Sequence, residues 1–189
     1  MRSMLRAGAF VALAYFINGC ASTTLEAVSD FDSNFAFEGV QRLAILPIDR
    51  TSAAEKLISD MQVDRINEAL TSELQARGYS VVEDRDSADA YLAWHLVTRE
   101  KTDIRSYNAA SAYNCWRCGP PVSDVSVNQY IQGTFIVDLI DPDRSRSVWR
   151  STIQSRLATN PDPKNAAKNR AIAAKAVLAP FPPDVSGAQ

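Results

Sequence analysis

Cys115 and Cys118, in the order Cys-Trp-Arg-Cys, form the one pair in this chain whose type and spacing could carry redox or metal chemistry. Thiol exchange needs a thiolate, and a helix N-terminus supplies one by lowering the pKa of the first thiol. Gly119-Pro120-Pro121 follows the pair and does not open a helix, so a small structural disulfide is the first expectation. A thiol redox or metal-binding role is the alternative. A structural zinc site takes about four protein ligands, and only His95 could add a nitrogen to the two thiols. His95 is the sole histidine, so any Ser-His-Asp or Cys-His scheme would pass through it. It falls mid-strand, where a hydrogen-bonded structural role is expected. Asp138, Asp141 and Asp143 offer oxygen ligands close together, which suit a hard cation. Their spacing departs from a calcium loop, and Asp141-Pro142-Asp143 suits a turn. The expectation is a non-enzymatic protein with no catalytic residues, no bound metal and no cofactor.

The third cysteine belongs to a different pattern. Cys20 closes the run Phe10-Val11-Ala12-Leu13-Ala14-Tyr15-Phe16-Ile17-Asn18-Gly19, which follows Arg2 and Arg6. A basic start, an apolar stretch of about ten residues and a small residue before the cut describe a signal peptide, too short to span a bilayer. A cysteine directly after Gly19 resembles the lipobox of bacterial lipoproteins, in which the sulfur takes a diacylglycerol and becomes the new N-terminus. That resemblance implies a signal peptide over residues 1–19, lipidation at Cys20 and a lipidated tether over residues 20–29. At roughly 3.3 Å per residue the tether spans at most about 30 Å. By similarity to Gram-negative lipoproteins, Ala21 rather than Asp at the second mature position implies the periplasmic face of the outer membrane. Giving Cys20 to the lipid leaves Cys115 and Cys118 as an even pair in an oxidising compartment.

The elements that must position these residues follow from periodicity. Leu43-Ala44-Ile45-Leu46-Pro47-Ile48 is a short apolar run suited to a strand covered on both faces. Val63, Ile66, Leu70 and Leu74 recur at helical spacing, with Ala69 beside them. Ser59 with Gln62 suits a capping box and Gly78 a left-handed stop, although Ser52 with Glu55 offers a second start. Tyr79 to Val82 predicts a short strand, and residues 89–101 a longer, central one that is apolar on both sides. Residues 104–128 break all periodicity and read as one long loop. Its Tyr107, Tyr113 and Trp116 make a candidate partner surface. Residues 130–139 and 149–157 predict an antiparallel hairpin about Asp141-Pro142-Asp143, with Phe135 and Trp149 as its inward aromatic pair. A last helix over about residues 164–179 ends at Pro180, after which Phe181 is expected to lie back on the body.

This order predicts one domain over residues 30–189 of α+β class, a mainly antiparallel sheet of about five strands packed by two helices. The net charge of −2 and pI near 5.4 leave no electrostatic footprint for nucleic acid. The partners expected are the membrane, through the N-terminal lipid, and an envelope protein or polymer.

The stretch Tyr130-Ile131-Gln132-Gly133-Thr134-Phe135-Ile136-Val137-Asp138-Leu139-Ile140-Asp141, with Ser147-Val148-Trp149-Arg150 after it, resembles the signature of a bacterial lipoprotein family known as domain of unknown function 4136. Ser29-Asp30-Phe31-Asp32, Leu74-Gln75-Ala76-Arg77-Gly78-Tyr79, Ala88-Asp89-Ala90-Tyr91 and Phe181-Pro182-Pro183 fit the same family in order. The resemblance implies an α+β envelope lipoprotein with no established activity, and it supplies no catalytic residues. Cys115-Trp116-Arg117-Cys118 departs from the glycine- and aromatic-rich segment such proteins carry there.

Overall fold

The computed structural model describes residues 25–51, 53–56, 58–108, 123–157 and 162–185. In chain order these form β1 (Ala27–Phe31), β2 (Arg42–Ile45), α1 (Ala53–Lys56), α2 (Asp60–Ala76), β3 (Ser80–Val81), β4 (Ala90–Asn108), β5 (Ser123–Asp141), β6 (Arg146–Arg156) and α3 (Ala166–Val177). The class is α+β, as expected, but the sheet has six strands, in the order β1-β6-β5-β4-β2-β3. It is also mixed. β4, β5, β6 and β1 pair antiparallel, whereas β2 runs parallel to both β3 and β4.

The parallel half follows from local chemistry. Leu43 and Ala44 point to opposite faces and are both buried, as a strand with neighbours on each side requires. The chain then crosses over through α2. Ser59 accepts the Gln62 N–H while the Gln62 side chain accepts the Ser59 N–H, so the helix starts with a complete capping box. It ends at Gly78, whose φ of +92° is the left-handed conformation that stops a helix at little steric cost. Ser52 lies outside the described residues, and the short α1 is a separate turn ahead of α2.

Alternate residues of the antiparallel half build the core. Leu92, Trp94 and Leu96 of β4 stand opposite Leu139, Val137 and Phe135 of β5, which in turn face Trp149, Ser151 and Ile153 of β6. Leu70 and Leu74 of α2 and Ala174 and Val177 of α3 join the same cluster, so both helices cover this one face. Trp94 ties strand to helix by donating its indole N–H to Asn67 at 2.8 Å. A buried indole N–H gains from such a partner, which the Nε1 of the equally buried Trp149 lacks among the described residues.

Three expectations are corrected. Phe135 and Trp149 do not pair: Phe135 tilts against Trp94 at 5.9 Å, and Trp149 against Phe181 at 5.0 Å. The hairpin register places Phe135 opposite Ile153 and Trp149 opposite Leu139, which separates the two rings. Residues 104–128 are not one loop, because β4 continues to Asn108 and β5 begins at Ser123 in unbroken antiparallel register. Residues 27–29, read as tether, belong to β1, where Ala27 pairs with Ile153 and Phe31 with Trp149. Phe181 does lie back on the body, buried between Tyr79 and Trp149.

Candidate functional site

His95 leaves β4 on the face opposite Trp94 and meets a carboxylate that sequence reasoning did not assign to it. Its Nδ1 lies 3.0 Å from Oε1 of Glu55, which is 5% exposed at the side chain, while His95 is 38% exposed. α1 carries Glu55 against β4, so this contact fastens a four-residue helix to the sheet. A carboxylate held against an imidazole nitrogen fixes ring orientation and could serve acid-base chemistry. Ala93 and Val97 flank His95 along its strand and Ile136 stands opposite.

The three aspartates at the β5–β6 turn separate into two roles. Asp138 is 3% exposed and accepts from Arg150 through both oxygens, at 2.8 and 3.1 Å, and from the Ser147 hydroxyl at 2.6 Å. Its hydrogen bond to Arg150 raises the guanidinium pKa above the usual arginine value. Asp141 serves the turn, accepting the backbone N–H of Asp143 at 2.9 Å. Ser145 takes the positive φ of 51° that closes it. A register shift between Leu139 and Ile140 separates the two aspartates along the strand. Among the described residues no cluster of three or more His, Cys, Asp or Glu side chains could hold a metal ion.

The same end of the sheet bears a cleft of about 620 Å³ whose lining includes Phe35, Arg85, Asp89, Tyr91, Asp141 and Arg144. Some of the charges in and beside it are paired. Asp89 accepts from the Arg42 guanidinium and from the backbone N–H groups of Arg42 and Gln41, which together lower its pKa to about 2. The Asn34 backbone and side-chain N–H groups hold Asp32 below the usual carboxylate range, and Arg146 and Arg144 lie 3.5 and 3.8 Å away. Pairs of this kind brace the loops around the cleft.

Arg77 is a structural anchor that sequence reasoning also missed. It donates to Glu73 and to the Leu178, Phe181 and Lys175 carbonyls, closing the C-terminal end of α3 from the end of α2. Its place directly before Gly78 was the available signal. Cys20, Tyr113, Cys115, Trp116 and Cys118 lie outside the described residues, and Tyr107 falls near the end of β4.

Comparison with known proteins supports the fold and a family. No curated protein matches the chain. A PDZ domain protein from Parabacteroides distasonis aligns over 85% of this chain at 14% identity with a TM-score of 0.52. This chain spans only 36% of that protein's length. A DUF4136 family protein from Bacteroides thetaiotaomicron aligns over 85% of this chain and 95% of its own, at 18% identity and a TM-score of 0.44. PelC from Paraburkholderia phytofirmans, solved as a dodecamer, aligns over 82% of this chain and 96% of its own, at 14% identity and a TM-score of 0.43. The profile of the domain of unknown function 4136 family matches residues 27–183, from the first strand to the segment that follows Phe181, and the chain belongs to that family.

Proposed function

We propose that this protein is a cell-envelope lipoprotein held by acyl chains on Cys20, with a non-enzymatic domain that binds or braces a partner beside the membrane. The observation that carries this reading is the N-terminal sequence: two arginines, an apolar run and Gly19-Cys20, with the family domain starting at residue 27. A signal of this kind and a folded domain so close behind it leave room for little except a short tether. Each buried methylene of an acyl chain contributes about 0.8 kcal/mol, so two or three chains hold where one would exchange. Ala21 supports sorting to the outer membrane in a host with two membranes. The Glu55–His95 contact that fastens α1 to the sheet and the Asp89–Arg42 pair beside the cleft support a bracing role.

The test is the mass of the mature N-terminal peptide from native membranes. A peptide beginning at Cys20 with diacylglycerol and amide-linked acyl mass is expected, and the protein should leave the membrane only with detergent. An unmodified Cys20, or release by salt alone, overturns the reading.

A further inference from the structure

β6 stops pairing with β5 at Arg156, opposite Gln132, so among the described residues β5 residues 123–130 pair with β4 alone. At about 3.4 Å per residue this two-stranded ribbon reaches about 30 Å past the body of the sheet. An apolar stripe runs along its β5 side. Val127 and Ile131 share a face and are 55% and 47% exposed. Leu157, 42% exposed, donates its N–H to the Ile131 carbonyl and lies over Gly133, where a Cβ would stand 2.8 Å from its Cδ2.

The register also says which way the chain enters. β1 runs from Ala27, level with Ile153, to Phe31, level with Trp149. Ile153 is the nearer of the two to Arg156 and the ribbon, so the segment before Ala27 leaves toward the ribbon end of the molecule. Leu25 already packs against the core. The chain from Leu25 back to Cys20 therefore spans at most about 18 Å even when fully extended. The ribbon is longer than the tether beside it.

We propose that the ribbon lies against the headgroup layer of the same bilayer that holds Cys20, with Val127, Ile131 and Leu157 turned toward it. The proposal rests on the lipid-anchor reading above. A bilayer within reach of that tether cannot clear a longer ribbon leaving from the same end, so the two must touch. Glu100, opposite Ile131 in register, and Gln129, between the two apolar residues, keep the contact at headgroup depth.

The test places the photocrosslinker p-benzoylphenylalanine at Val127 in the full chain, made with its own N-terminal segment in a Gram-negative host and irradiated in intact cells. Asp143, exposed in the β5–β6 turn at the opposite end, is the control position. The mass of the N-terminal peptide is read from the same sample. Phospholipid adducts at Val127 and their loss at Asp143, with Cys20 acylated, are the expected result. An acylated Cys20 with Val127 crosslinked to a second copy or another protein, or to nothing, overturns the ribbon contact and leaves the anchor standing. Equal phospholipid adducts at both positions overturn it too. An unacylated Cys20 overturns both. Should the Val127 variant fail to accumulate, the same probe at Ile131 reads the same outcomes.

Discussion

Two carboxylates show how side chains lock this sheet. Asp138 is almost fully buried and its charge is answered by Arg150, whose side chain is 58% exposed. Partial exposure of one partner reduces the coupling below that of a buried pair, to about 1 kcal/mol. A double-mutant cycle with Asp138→Asn and Arg150→Ala, followed by urea denaturation, should return a coupling of that size, and additivity would show the pair to be inert. Asp89 should act through pH. Its folded pKa, near 2, lies below the ordinary 3.8, so its stabilisation is fully present above about pH 4 and disappears as pH falls through 2. Solvent screening limits it to about 1 kcal/mol. The stability gap between the wild type and Asp89→Asn should close between pH 5 and pH 2, as followed by chemical denaturation at each pH. His95 lies on a strand and is hydrogen-bonded, as its sequence setting predicts, yet its partner Glu55 was invisible. Nothing in linear spacing shows which distant carboxylate an imidazole will meet.

Element by element, legibility tracks how many independent signals each segment carries. α2 has an apolar stripe, a capping box and a glycine stop, and it forms where those signals place it. Ser59→Ala should cost about 1 kcal/mol in thermal or urea unfolding, since the hydroxyl that accepts the Gln62 N–H is lost while the backbone N–H of residue 59 keeps only its bond to the Gln62 side chain. The β5–β6 hairpin is equally legible, because alternating apolar residues flank an Asp-Pro-Asp turn. β1 was not, because only its two end residues are partly buried and the rest face solvent. The outer parts of β4 and β5 were missed for a related reason. Polar residues interrupt both faces there, Asp103 and Asn128 on one and Thr102 and Gln129 on the other, so no sustained period of two announces a strand. Backbone pairing with each other is what holds them. Amides of residues 101–107 should therefore exchange with deuterium much faster than those of Tyr91 and Leu92, which have β2 on one side and β5 on the other. Equal protection along β4 would contradict the two-stranded description.

At the scale of the whole molecule, one helical layer covers one face of a six-stranded sheet, and the last residues complete it. Phe181 fills the space between Tyr79 and Trp149, while Arg77 holds the carbonyls around it. Phe181→Ala should cost about 3–5 kcal/mol, enough to lower the melting temperature by many degrees or prevent accumulation. A circular dichroism melt of the variant checks this. The α+β class was legible from the order of elements. The sixth strand and the parallel pairing of β2 were not, since a strand of four residues does not reveal its neighbours.

The partnership of β1 with β6 has a consequence for biogenesis. The first strand waits for a mate that lies near the other terminus, and closing so long a loop is slow. A nascent chain therefore cannot complete its sheet until residue 153 has emerged.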